Sequence, residues 1–226
     1  MTYFIAELGA NIFPFSRSRL ARFVEAAAEA GADAVKVQLF RADHFPVAER
    51  REKIQHEFPR YEFDWFLRMA RAFGLEAGAS VFDEDAIELC RDADFIKLAA
   101  REANNRILLE AAYLGYRRGP VYRSLPVRAL EPGWAIGVLE HALGCVSMYP
   151  TPSSDAADAL GGLPTGWGWS SHTTGYEDCM VAARFGAPVI EKHFKLAGVE
   201  AGEQAEASWS LFPWDFARMV EECRGL

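Results

Sequence analysis

The stretch Trp167 to Leu196, WGWSSHTTGYEDCMVAARFGAPVIEKHFKL, carries His172 and His193, each at the end of an apolar run. Between them lie a turn at Thr174-Gly175, an amphipathic segment and a Gly186-Ala187-Pro188 break. In a parallel α/β sheet the two runs are neighbouring strands. Both imidazoles then emerge at strand C-terminal ends, where such enzymes keep their chemistry. Two imidazoles converging from adjacent strands can hold a divalent cation, and the two-residue strand period aims the Glu191 carboxylate the same way as His193. Spacing alone leaves a pair of histidines satisfied by backbone groups equally open.

The run AVKVQLF presents a second set of polar residues. Val35, Val37 and Leu39 share one face, and Lys36 and Gln38 share the other. A sheet covered by helices needs an apolar outer face, so Lys36 and Gln38 are expected to point inward. Lys97 in FIKLAA repeats the situation. A buried ammonium needs an anionic partner, which is either a bound anion or an internal carboxylate such as Glu7 or Glu191. The anion site is the favoured reading here, the internal network the alternative. Ser80, Ser124 and Ser147 stand at other strand ends, with Tyr149 close behind, and each can donate to phosphate oxygens. If Ser124 points in, Arg123 points out.

Short apolar runs alternate with helical patterns along the whole chain. Strands are predicted at Tyr3 to Leu8, Asp33 to Leu39, Leu75 to Val81, Phe95 to Ala99, Pro120 to Leu125 and Leu143 to Met148, with the two histidine strands making eight. Helices are predicted at Ser18 to Ala30, Phe63 to Phe73, Glu84 to Cys90, Arg106 to Tyr113, Ser154 to Leu160 and Trp214 to Cys223, with a longer loop after the second strand. Eight β/α units predict an α/β fold of the (β/α)8 TIM-barrel type, with residues 1–226 as one domain. A doubly wound sheet is the runner-up, but no glycine-rich phosphate fingerprint follows the first strand. The fifth β/α unit reads as truncated. Pro132-Gly133 and Gly137 break its pattern, and closure of the barrel is expected to suffer there.

Composition excludes several classes. Half of the 226 residues are hydrophobic, a quarter are charged and the net charge is −8, with no Lys/Arg run, so no nucleic-acid partner is expected. The N-terminus carries Glu7 within a short apolar run, which reads as neither signal peptide nor membrane span. The scattered cysteines Cys90, Cys145, Cys179 and Cys223 form no metal or disulfide framework, and a reduced cytoplasmic setting is the expectation. Asp83 to Asp85 reads as a helix N-terminus. Trp209, Phe212 and Trp214 read as core or interface.

SSHTTGY followed by GAPVIEKHF resembles the N-acetylneuraminate (sialic acid) synthase family, whose members usually read SDHT-x-G and then GA-x-x-x-EKHF. The resemblance extends along the chain in order: AELG with Asn11, EAGADAVKVQLF, GASVFDE, FIKLAA and CVSMYPTP each match a family segment. It implies a TIM barrel that condenses phosphoenolpyruvate with an aldehyde sugar, releasing phosphate. By position it implies a divalent metal on His172 and His193, with manganese expected first and magnesium, cobalt or zinc as alternatives. Lys36, Ser80, Lys97, Ser124 and Ser147 are then expected at phosphoenolpyruvate. Glu7, Gln38, Tyr149 and Glu191 become the catalytic set facing the acceptor aldehyde, and Asn11 and Gln204 contact that acceptor. A homodimer is expected.

Departures from the family pattern concentrate in the acceptor half. Ser171 replaces the aspartate of SDHT, Ala100 a phosphate-side serine, and Gln204 an aspartate that meets the sugar. Ser147 stands where an asparagine is common, and IFPFS replaces the His-Asn-Gly after Asn11. The family's C-terminal antifreeze-like domain is not found after the barrel. The pattern implies the same carbohydrate-biosynthesis reaction on a different acceptor. The competing readings are a metal-dependent sugar isomerase or epimerase and a non-catalytic degenerate homologue.

Overall fold

The computed structural model describes residues 1–127, 141–198 and 204–226. Eight strands form one closed parallel barrel in sequence order: β1 (Tyr3–Glu7), β2 (Ala34–Leu39), β3 (Glu76–Val81), β4 (Phe95–Leu98), β5 (Val121–Pro126), β6 (Ala142–Cys145), β7 (Gly168–Ser171) and β8 (Val189–His193). The sheet closes where β1 pairs with β8, from Tyr3 opposite Val189 to Glu7 opposite His193. The expected weakness at the fifth unit does not open the sheet. Arg123 pairs with Ala142 and Pro126 with Cys145, so β5 and β6 are joined in full register. The predicted break at Glu131 to Leu139 lies outside the described residues.

Around the barrel run α1 (Arg17–Glu29), α2 (Val47–Lys53), α3 (Phe63–Ala72), α4 (Glu84–Leu89), α5 (Arg106–Gly115), α6 (Ser153–Gly161), α7 (Glu177–Arg184) and α8 (Pro213–Arg224). Their starts follow from local chemistry. Ser16 accepts from the Arg19 amide, Asp83 from Ala86 and Asn105 from Leu108, each satisfying an orphan donor of the first turn. The acidic Asp83 to Asp85 group is thus a helix start, as its sequence suggests. Gly31, at φ +78°, ends the first helix in a conformation that side-chain-bearing residues avoid. Two details differ from expectation. The loop after β2 contains α2, and β6 ends at Cys145, which leaves Ser147 in the following loop.

The apolar faces of α1 and α3 bury Leu20, Phe23, Val24, Phe63 and Phe66 against Val35, Val37 and Leu39 in one continuous core. At roughly 1.5–3 kcal/mol for each large side chain, this layer provides the main adhesion between helices and barrel.

The barrel interior has its own gradient. Ile5, Ala34, Phe95, Tyr122, Leu143 and Val189 fill its lower end as a separate apolar cluster. The two-residue period then places Glu7, Lys36, Lys97, Ser124, Cys145 and Glu191 one layer higher. The packed lower layer plugs the barrel, and the polar layer forms the floor of a cavity at the C-terminal mouth.

Candidate active site

A cavity of about 490 Å³ opens at the C-terminal ends of the strands. Glu7, Lys36, Gln38, Ser80, Lys97, Ser124, Ser147, Tyr149, His172, Glu191 and His193 all line it. The expected site residues that do not line it are Asn11 and Gln204.

The floor is a chain of alternating charges. Lys36 Nζ contacts the Glu7 carboxylate, donates to Ser80 Oγ at 2.6 Å and lies 3.8 Å from Glu191. Lys97 Nζ lies 2.6 Å from Glu191 Oε2 and donates to Ser170 Oγ at 3.2 Å. Each inward lysine therefore faces the cavity and has an internal carboxylate as well. Burial and the two lysines pull the carboxyls in opposite directions. Burial pushes Glu7 above the ordinary carboxylate range despite Lys36. At Glu191 burial also pushes upward, but Lys36 and Lys97 together outweigh it and hold the group at about 2. Burial depresses the Lys97 ammonium, against the pull of Glu191. Glu191 is thus the fixed anion of the floor and Glu7 the carboxyl readier to carry a proton. Ser124 Oγ is buried in the floor beside the Cys145 thiol.

The histidines converge above this floor, their ring centroids 5.5 Å apart. His172 Nδ1 lies 3.1 Å from the Val146 carbonyl, and His193 Nδ1 lies 3.1 Å from Glu206 Oε2. Both partners only accept, so Nδ1 carries a hydrogen in each ring. Burial, reinforced by His193 and Lys97, drives the His172 pKa well below its usual value and keeps that ring neutral. Two imidazoles whose Nδ1 atoms are tied back in this way suit a divalent metal on their second nitrogens. Among the described residues no group of three His, Cys, Asp or Glu side chains is arranged around one point.

Glu206 was not singled out by sequence reasoning, yet it organises this wall. It accepts from the Ala10 amide at 2.9 Å, meets Gln38 Nε2 at 3.5 Å and holds His193. Gln38 also donates to Glu7 at 3.3 Å, which links the two carboxylates. Asn11 contributes indirectly. Its Oδ1 accepts from the Glu206 amide at 2.8 Å, and its Nδ2 donates to Phe194 O and Ser210 Oγ. Every polar atom of the Asn11 side chain is committed, so it positions Glu206 and does not face an acceptor. Gln204 is likewise corrected: its amide bonds both the N–H and the carbonyl of Leu196, at 2.8 and 2.9 Å. It is buried behind the cavity and does not line it.

A parallel bridge from Phe194 to Leu211 ties the segment after β8 to the barrel and brings Trp209 over the mouth. Tyr149 packs between His172, at 4.4 Å, and Trp209, at 5.6 Å. Trp209 therefore forms part of the cavity wall. Phe212 stacks on Trp214, which is exposed. Ser171 turns away from the cavity, and its hydroxyl accepts from the buried Lys192 at 3.0 Å. Lys192 also donates to the Thr173 carbonyl, so this outward network fixes the turn that follows His172. The Ser171 departure thus lies behind the site, while Ala100 lies in its wall. Arg123 points outward, as expected, and donates to the Ala103 carbonyl.

Gly9 supplies the space for Glu206. It sits at φ +46°, and a Cβ there would overlap the Glu206 carboxylate. Gly9→Ala is expected to cost about 1–3 kcal/mol in urea unfolding, from left-handed backbone strain and displacement of that carboxylate. Unchanged stability would show that Glu206 sits elsewhere.

No helix among the described residues is long and apolar enough to cross a membrane. The chain is similar to pseudaminic acid synthase from Campylobacter jejuni, at 26% identity over 98% of this chain and 73% of that protein. It is 28% identical to N,N'-diacetyllegionaminic acid synthase from Legionella pneumophila, over 98% of this chain and 71% of the relative. An uncharacterized Methanocaldococcus jannaschii protein is 27% identical over 89% of this chain, which spans 64% of that relative's length. In three dimensions the chain resembles the N-acetylneuraminic acid synthetase of Leptospira borgpetersenii, with TM-score 0.83 and 25% identity over 99% of this chain and 83% of that one. The NeuB family profile matches residues 23–226, and with the barrel and its polar mouth as described, the chain belongs to the NeuB family.

Proposed function

We propose that this barrel condenses phosphoenolpyruvate with an aldehyde, a sugar or sugar-like acceptor, to give a 2-keto-3-deoxy acid and inorganic phosphate. The observation that carries the reading is the convergence of Lys36, Lys97, Ser80 and Ser124 with His172 and His193 on one cavity. Lysines and hydroxyls suit the carboxylate and phosphate of an enol ester, and the wall above leaves room for an aldehyde. Family membership and the similarity to sugar-acid synthases support the same assignment.

In this reaction C3 of phosphoenolpyruvate bonds to the aldehyde carbon, and the aldehyde oxygen takes up a proton. Water adds to C2, and the C2–O bond to phosphate breaks. A divalent metal on Nε2 of His172 and His193, manganese in the first instance, would polarise the aldehyde as a Lewis acid. The protein's own groups do the rest. Lys36 and Lys97 hold the anionic substrate against the floor. Glu7, the more readily protonated carboxyl, hands a proton to the aldehyde oxygen. Glu191, held ionised, accepts a proton from the attacking water. Gln38 keeps Glu7 aligned, and Tyr149 with Trp209 forms an apolar wall beside the histidines.

The test is phosphate release from phosphoenolpyruvate with Mn²⁺ and a panel of aldehyde sugars, with products identified by mass spectrometry. Aldehyde-dependent release with a product heavier by the pyruvate unit supports the reading. Turnover of a sugar without phosphoenolpyruvate would replace it with an isomerase or epimerase, and inertness toward the whole panel would count against the condensation.

A further inference from the structure

Four cations line the cavity and fall into two pairs. The deep pair, Lys36 and Lys97, is already matched by Glu7 and Glu191, and Glu206 adds a third carboxylate to the wall. Even with Glu7 carrying its proton, the ionised Glu191 and Glu206 balance the two lysines, so these side chains by themselves offer a dianionic phosphate no surplus positive charge. The second pair, Lys53 at the end of α2 and Arg101 in the turn after β4, sits at the rim. Both lie against one ring. Arg101 Cζ is 4.2 Å from the Phe45 centroid and Lys53 Nζ is 5.4 Å from it. Phe45 is itself wedged against Phe40 at 5.1 Å and Phe82 at 6.2 Å, so the platform beneath the two charges is packed.

The carboxylates near these rim cations do not compete for the cavity. Lys53 meets Glu52 at 3.7 Å and Arg101 meets Glu102 at 3.5 Å, each its chain neighbour and neither a lining residue. The Glu52 side chain is 72% exposed, and such pairs contribute little. Ala99 and Ala100, immediately before Arg101, line the wall with nothing larger than a methyl group, which leaves the space between Lys97 and the rim open.

We propose that Lys53 and Arg101 form a phosphate clamp at the barrel mouth, organised on the Phe45 ring, that takes the phosphate group of an incoming substrate. The clamp supplies the positive charge that the self-neutralised floor lacks. Arg101 offers a planar fork suited to two phosphate oxygens, and Lys53 adds a mobile point charge. The clamp stands on its own geometry; the identity of its ligand rests on the function proposed above. That ligand is either phosphoenolpyruvate or an acceptor aldehyde that itself carries phosphate.

The test is calorimetry on the full chain with Mn²⁺ present, comparing wild type with Lys53→Met, Arg101→Met, the double variant and Arg101→Lys. The probes are inorganic phosphate, phosphoenolpyruvate, pyruvate and a hexose 6-phosphate. All variants alter partly exposed side chains, and their melting temperatures check folding. Arg101→Gln replaces any variant that fails this check. The clamp predicts that each methionine variant weakens at least one phosphate-bearing probe by about ten-fold or more, that Arg101→Lys recovers part of the loss, and that pyruvate changes less than about two-fold. Loss confined to phosphoenolpyruvate and inorganic phosphate assigns the clamp to that substrate. Loss for the hexose phosphate with phosphoenolpyruvate unchanged assigns it to the acceptor. Wild type that ignores phosphoenolpyruvate but loses hexose-phosphate binding on mutation would remove the proposed function and keep the clamp. A folded double variant that binds every phosphate probe as wild type does overturns the clamp.

Discussion

Lys36→Met is expected to abolish phosphoenolpyruvate binding and to lower stability by about 3–5 kcal/mol, whereas Lys36→Met/Glu7→Gln recovers most of the stability and none of the binding. The single change leaves the buried Glu7 carboxylate without its partner, and it removes the donor to Ser80. The double change removes the charge that was stranded, so the floor packs again but still lacks the ammonium that meets the substrate. The pH dependence has a definite sign. Without Lys36 the folded Glu7 carboxyl holds its proton more tightly than the unfolded chain does, because burial already raises it in the intact protein. The loss of stability therefore grows as pH rises above the ordinary glutamate value of about 4.3, and is smallest below it. Urea unfolding at acid and at mildly alkaline pH reads this directly. A double variant that regains phosphoenolpyruvate binding would show that Lys36 serves only to neutralise Glu7.

The second large effect is expected at Glu206. Glu206→Ala strips the acceptor from His193 Nδ1 and from the Ala10 amide, and frees Gln38 from one of its two carboxylates. His193 then rotates or changes tautomer, and Mn²⁺ affinity, followed by the loss of free-ion electron spin resonance signal, is expected to fall about 10–100-fold. Glu206→Gln keeps an oxygen acceptor at the same reach and should retain much of the affinity. Asn11→Ala, which removes the acceptor for the Glu206 amide, should shift affinity in the same direction by less. An alanine variant that binds Mn²⁺ like wild type would mean that His193 is held by other contacts.

Much of this site is written in the strand alternation. Lys36, Gln38, Lys97, Glu191 and His193 lie on regular strands, where a two-residue period and a mainly apolar outer face turn polar side chains inward, with Lys192 the exception that Ser171 and Thr173 hold outside. Glu206, Trp209, Phe45, Lys53 and Arg101 reach the cavity from turns and short helices. No period encodes their direction; it is set by tertiary ties such as the Phe194–Leu211 bridge and the packing of Phe45 on Phe40 and Phe82. Asn11 and Gln204 show the opposite error. Their positions in the chain suit an acceptor site, but hydrogen-bond accounting in three dimensions assigns their amides to the protein itself. Reading β6 through to Met148 failed because an apolar run continues past Cys145, although the strand pairing stops there. The predicted eight-strand barrel stands because it rests on the whole alternation and not on any one boundary.

The most direct test of the central claim is a calorimetric titration of phosphoenolpyruvate into wild type and Lys36→Met/Glu7→Gln, with and without Mn²⁺. The proposed reading predicts binding in the micromolar to millimolar range by wild type, strengthened by Mn²⁺, and none by the folded double variant. Absence of binding by wild type under every metal condition would contradict the assignment of this floor to phosphoenolpyruvate.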